Sequence, residues 1–225
     1  MTWIFGYGSI IWRPDFPYAE RTLAFVANHT RRFWQGSPDH RGTPTSLGRV
    51  VTLVPEEGAV CWGFAYRVPP ERVDEVMAYL DHRERGGYVR ITVPFHRAHA
   101  VCANPLHNIK PEDAVESITY IAAPDNEHYL GPDALPRMVK QIAGAAGESG
   151  RNADYVINLA THLKEMGLDD PHVFTLAQAV REAVAASSAS PIVKIKALGA
   201  LEDALEEASK AEHAVASSAT VSARA

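Results

Sequence analysis

The chain has 225 residues, 46% of them hydrophobic and 22% charged, with a formal net charge of −5 and its basic residues scattered along the length. This composition suits one globular domain with a sizeable core, and it argues against a surface for nucleic acid or for an anionic membrane. Only Cys61 and Cys102 are present, no leader pattern opens the chain, and nowhere do about 20 apolar residues run together, so a reducing cytoplasm is the expected setting.

Strand and turn signals dominate up to about residue 68: Trp3 to Phe5, Ala24 to Ala27, Val50 to Val54 and Val60 to Val68 carry β-branched and aromatic residues. Pro69-Pro70 then opens a helix predicted over 70–84, with Val73, Val76, Met77, Leu80 and Glu84 at helical spacing and Gly86-Gly87 as its stop. Tyr88 to Val93 and Ser117 to Ala122 read as further strands, separated by a polar loop over about 104–113. Three helices follow, over Leu135 to Ala146, Ala153 to Met166 with Asn152 as N-cap, and Val173 to Ala185. Strands first and helices later predict an α+β domain over 1–185. Residues 186–225 form an Ala/Ser-rich tail, in which Leu198, Leu201 and Leu205 suit either one short amphipathic helix or disorder.

Two features suggest chemistry. The first predicted strand ends in Gly6-Tyr7-Gly8-Ser9-Ile10-Ile11, where a tight turn exposes backbone N–H groups to an anion or oxyanion. It is neither a dinucleotide fingerprint, since Ile11 stands where glycine is needed, nor a nucleophile elbow, since Tyr7 and Ile11 replace the flanking glycines. An ordinary structural turn stays open as its reading. The second feature is Glu84, a carboxylate on the helix face that buries Val76, Met77 and Leu80. Burial and the helix C-terminus both raise its expected pKa toward the range of a proton-transfer group, whereas Arg83, Arg85 or Arg90 would make it a structural ion pair.

Other groupings carry less. His96, His99, Cys102 and His107 have a metal-like spacing, but strand alternation sends His96 and His99 to opposite faces. Cys61 beside Trp62 reads as a buried apolar residue, and Arg31-Arg32-Phe33-Trp34 as a segment that packs or edges a pocket.

Taken in order, Phe5-Gly6-Tyr7-Gly8-Ser9-Ile10-Ile11-Trp12, Arg31 to Ser37, Gly48 to Leu53, Trp62 to Arg67, Tyr79 to Tyr88, Asp125 to Gly131 and Ser149 to Asn152 resemble the ChaC family over roughly residues 3–180, with Ile10 where the family motif usually has leucine. The resemblance implies a small mixed β-barrel with flanking helices. It also implies a cofactor-free, metal-free γ-glutamylcyclotransferase that cleaves glutathione to 5-oxoproline and Cys-Gly, gripped by the 6–11 loop and served by Glu84. On this reading Arg49 pairs with the glycyl carboxylate, Tyr88 or Tyr129 lines the pocket, and N–H groups of the loop face the developing oxyanion. Other γ-glutamyl amino acids or amines, or a non-catalytic binding role, remain as alternatives. Oligomeric state is not legible in the sequence.

Overall fold

The computed structural model describes residues 1–84, 86–98, 105–108 and 110–188. Most of the 186–225 tail, with its three leucines, and the pair His99 and Cys102 therefore lie outside the described residues. The fold is α+β: a closed five-stranded barrel with four helices around it. Its strands are β1 (Thr2–Gly6), β2 (Glu20–Ser37), β3 (Gly48–Val68), β4 (Tyr88–Arg97) and β5 (Val115–Ala122), in the spatial order β1-β3-β2-β4-β5. Helices α1 (Val73–Arg83), α2 (Leu135–Gly144), α3 (Asn152–Glu165) and α4 (Pro171–Ser188) complete it. No helix among the described residues is long and apolar enough to cross a membrane.

The apolar run at the start becomes β1, which pairs with β3 antiparallel and with β5 in parallel. Its two faces feed two different cores, which is why it lacks polar alternation. Trp3 and Phe5 point into the larger cluster shared with α2, α3 and α4, and Ile4 into a smaller one with Val76, Met77 and Leu80 of α1. The glutamate that follows Leu80 by one helical turn is thus carried to the barrel rim by packing of α1.

The two short strands expected at 24–27 and 50–54 are parts of something longer. β2 and β3 form one extended hairpin from Glu20↔Arg67 to Ser37↔Gly48, with register shifts between Ala27 and His29 and between Arg32 and Gln35. At the first shift Asn28 adopts φ +56° and its Oδ1 accepts the N–H of Gly58 at 2.9 Å. Such irregularities bend the ribbon so that β2 also reaches β4, through Ala24↔Arg97 and Phe25↔His96, and the sheet closes.

Asn152 is not the expected N-cap. Helix α3 begins on it, and its buried carboxamide forms a two-sided clamp on β3, accepting from Arg49 N–H and donating to Arg49 C=O, each at 2.7 Å. This satisfies a strand residue that has no neighbour on that side. Helix α2 stops at Gly144 rather than Ala146, because Ala146–Gly147 pairs with Gly150–Arg151 in a small hairpin whose tip binds the 38–47 loop through Glu148 N–H to Asp39 C=O and Ser149 N–H to His40 C=O, both 3.0 Å.

Candidate active site

β1 delivers Gly6 to the barrel rim, and a 3-10 turn over Ser9–Ile11 follows at once. The first N–H of this turn to reach a carbonyl is that of Ile11, bonded to Gly8 at 3.0 Å; those of Trp12 and Arg13 go to Ser9 at 3.2 and 2.8 Å. Among the described residues the N–H groups of Gly8, Ser9 and Ile10 have no protein acceptor, as expected of the open end of a turn. Glycine is needed here for space: a Cβ on Gly6 would lie 2.6 Å from Ile10 Cγ2, and one on Gly8 3.2 Å from the Tyr155 hydroxyl.

The loop walls a small inner recess of about 50 Å³, which abuts an outer cleft of about 490 Å³. Four residues border both spaces: Ser9, Glu84, Tyr88 and Tyr155. Glu84 caps the C-terminus of α1, its N–H bonded to Leu80 C=O at 2.8 Å, and its side chain is 19% exposed. Burial raises its carboxyl above the ordinary value, against the opposing pull of Arg83 and His40. The structure also contains the ion pair that sequence left open, but with Arg83 and at 3.4 Å from Nε to Oε1. Arg90 pairs instead with Asp81 at 3.3 Å, and Arg85 lies outside the described residues. The remaining nitrogens of Arg83 donate to Ser9 Oγ (2.9 Å), Arg13 C=O (3.0 Å) and Pro14 C=O (3.3 Å), so one guanidinium ties the glycine loop to the end of α1.

The chain leaves Glu84 through a turn held from outside. Gln35 Nε2 donates to Gly86 C=O at 2.9 Å; Asn126 Nδ2 donates to Gly87 C=O at 2.6 Å and to Gln35 Oε1 at 3.3 Å. Gly87 sits at φ +88°, and a Cβ there would fall 2.3 Å from the Asn126 side chain. Gly87→Ala is therefore expected to destabilise the protein by about 1–3 kcal/mol, seen as a fall of several degrees in Tm by calorimetry. An unchanged Tm would mean that the turn has an unstrained alternative.

Four tyrosines surround the inner recess. Tyr7 donates to Tyr120 C=O at 2.6 Å, Tyr88 to Val51 C=O at 2.6 Å and Tyr120 to Asp81 Oδ1 at 2.7 Å. Tyr155 is 4% exposed, and among the described residues its hydroxyl has no hydrogen-bond acceptor. The outer cleft holds cations and their partners: Arg13 pairs with Asp15 at 2.7 Å, and His40 meets Glu148 at 3.5 Å. Arg41 lies 5.3 Å over the Tyr155 ring, donates to Arg151 C=O at 3.3 Å and has no carboxylate within 4.0 Å among the described residues.

A buried carboxylate beside an anion-friendly loop is suited to moving a proton within a substrate held by its charged ends. The family model described as ChaC-like protein matches residues 2–183. The chain belongs to the ChaC-like family. It is 39% identical over 182 residues to the zebrafish (Danio rerio) glutathione-specific gamma-glutamylcyclotransferase 1, covering 79% of this chain and 88% of that protein. Identity to the human protein of the same name is 38% over 182 residues, with 79% and 78% covered. A crystal structure of the glutathione-specific γ-glutamyl cyclotransferase from yeast superposes with a TM-score of 0.73 at 31% identity, over 80% of this chain and 96% of that one.

Within this ChaC-like chain, Gly6, Tyr7, Gly8, Ser9, Ile10, Glu84 and Tyr88 are brought together around the inner recess. Three expected residues are not. Ile11, 3% exposed, turns into the hydrophobic core. Tyr129 bridges through its backbone to Gln35 and meets Trp34 edge-on at 6.5 Å, away from the cleft lining. Arg49 is a correction of substance: its buried guanidinium donates to Gln141 Oε1 (2.7 Å), Phe33 C=O (3.0 Å) and Gly131 C=O (3.3 Å) and pairs with Asp133 at 3.3 Å. These partners hold it on the side of the barrel that faces α2, outside the lining of the cleft and recess. Of the arginines that line the cleft, Arg41 is the one with no carboxylate within 4.0 Å among the described residues.

Cys61 is buried and burial pushes its thiol up to about 11, which keeps it from acting as a thiolate. His96 packs on Phe25, ring to ring at 5.3 Å. Arg31 and Phe33 are buried and Arg32 pairs with Glu56 at 2.8 Å, so the basic-aromatic run packs rather than edging the cleft.

Proposed function

We propose that this chain is a cytoplasmic, glutathione-specific γ-glutamylcyclotransferase that needs no metal or cofactor and converts glutathione to 5-oxoproline and Cys-Gly. The observation that carries the reading is the placement of Glu84: desolvated, on the border of a small recess and a larger cleft, and tied by Arg83 to a loop with open N–H groups. Names of relatives at 38–39% identity, and of a yeast structure at 31%, support the same chemistry.

The γ-glutamyl group carries its own nucleophile, since its α-amine reaches the γ-carbonyl and closes a five-membered lactam. The protein's first task is to hold that folded geometry, for which effective molarities of about 10⁵ M or more are attainable. The N–H groups of Gly8, Ser9 and Ile10 hold the α-carboxylate in the recess. Glu84 takes a proton from the α-amine, the amine nitrogen bonds to the γ-carbon, and Glu84 returns the proton to the cysteinyl nitrogen as its bond to that carbon breaks. Arg41 pairs with the glycyl carboxylate in the outer cleft, in the role first expected of Arg49.

The decisive assay is 5-oxoproline release by the purified, metal-stripped protein from glutathione and from γ-Glu-Ala. Release from glutathione with at least a tenfold higher kcat/KM than from γ-Glu-Ala is the expected result. The reverse preference would make it a cyclotransferase for other γ-glutamyl compounds, and no release from either would leave a binding protein.

A further inference from the structure

Cyclisation needs one more group. When the α-amine nitrogen bonds to the γ-carbon, the carbonyl π pair moves onto oxygen, and a site that excludes water must offer that oxygen a donor. The recess is walled by four phenols, and three hydroxyls are already given away, by Tyr7 to Tyr120 C=O, by Tyr88 to Val51 C=O and by Tyr120 to Asp81. The fourth is not: among the described residues the Tyr155 hydroxyl donates to no acceptor.

Position agrees. The Tyr155 hydroxyl stands over the glycine loop, 3.2 Å from where a Gly8 Cβ would be, and borders both spaces together with Glu84. Its ring is fixed between Trp12 and Phe33, with centroids at 5.9 and 6.1 Å, and Arg41 covers one face. A donor held this rigidly needs no reorganisation as charge develops. Resting on the cyclotransferase reading, we infer that Tyr155 is a catalytic residue whose hydroxyl donates a hydrogen bond to the γ-carbonyl oxygen as the lactam closes. When the intermediate collapses, the C=O reforms, the bond to the cysteinyl nitrogen breaks, and that nitrogen leaves with the proton from Glu84. Tyr155 keeps its proton throughout. Burial pushes the phenol up to about 12, so it stays protonated at neutral pH.

The test compares glutathione with its γ-thioamide analogue, whose sulfur is a weaker hydrogen-bond acceptor, in the wild-type protein and in Tyr155→Phe. With glutathione, kcat of the variant is expected to fall about 100-fold, with KM within about threefold. With the thioamide the same substitution is expected to lower kcat less than about tenfold. A general loss of folded enzyme scales both substrates alike, so the ratio decides even if Tyr155→Phe lowers Tm. Equal losses on the two substrates, a change in KM alone, or unchanged kcat with glutathione would overturn the assignment while leaving the cyclotransferase reading intact. Absence of 5-oxoproline from the wild-type protein would overturn both.

Discussion

Glu84→Gln is expected to lower kcat for 5-oxoproline release from glutathione by about 10³-fold at neutral pH, with little change in KM. The amide keeps the size of the side chain and its place at the end of α1 but neither takes nor returns a proton. The same substitution is expected to raise stability. Desolvation is the largest influence on this carboxyl and lifts it above the ordinary 4.5, so the charged form is worse solvated in the folded than in the unfolded state. Its stabilising contribution is therefore complete below the unfolded value and lost as pH rises through the folded value. Above the unfolded value wild-type Glu84 is worse placed in the folded than in the unfolded state, and Glu84→Gln removes that cost. Calorimetry at two pH values checks the sign: Tm of the variant exceeds wild type at pH 7, and the gap narrows as pH falls toward 4.5. In the wild-type protein kcat/KM falls on the acid side as Glu84 takes up its proton. A variant with wild-type kcat would remove Glu84 from the mechanism, and a lower Tm at pH 7 would show that the Arg83 pair outweighs desolvation.

The second large effect is expected at residues outside the lining of the cleft and recess. Arg31 projects from β2 into the core with its side chain 1% exposed, and it ion-pairs with Asp170 at 2.9 Å while also donating to Trp62 C=O. Its Nε has no hydrogen-bond partner among the described residues. Asp170 in turn begins α4, its Oδ1 accepting Val173 N–H at 3.1 Å and its carbonyl Phe174 N–H at 2.9 Å. Asp170→Ala thus strips the neutralising charge from a buried guanidinium and removes a helix cap. The expected loss is about 3–5 kcal/mol for the ion pair and about 1 kcal/mol for the cap, or a fall in Tm of roughly 10 °C or more. Asp170→Asn, which keeps a capping oxygen, is expected to retain the smaller contribution only. Arg31→Met together with Asp170→Ala should recover most of the loss, because the penalty lies in the unpaired charge rather than in the missing bond. A single Asp170→Ala variant that melts within 2 °C of wild type would show that Arg31 reaches solvent or another anion.

What the sequence by itself determined are the features that depend on neighbours three or four residues away. The apolar run of Trp3-Ile4-Phe5 made β1, and the spacing of Val76, Met77 and Leu80 made the buried face of α1 and put Glu84 on it. The stop at Gly86-Gly87 is equally local, since the φ of +88° at Gly87 favours glycine in any context. The glycine loop was legible for the same reason: crowding against Ile10 arises within five residues.

Tertiary structure decided which polar side chains face the cleft. Nothing near Arg49 in sequence distinguishes a guanidinium aimed at a cleft from one aimed at the core; its partners Asp133 and Gln141 arrive from 84 and 92 residues away. Asn152 looked like a helix cap because the clamp on Arg49 spans 103 residues and leaves no local trace. Gln35 and Asn126, which hold the turn after Glu84, come from β2 and from a loop 91 residues apart. Tyr155 carries no motif of its own. Its hydroxyl reaches the recess only because closure of the barrel brings Val51 and Gly8 against α3. Local periodicity selects the elements and places one buried carboxylate; the orientation of Arg49, Asn152, Gln35 and Tyr155 waits on contacts that form only when the chain closes on itself.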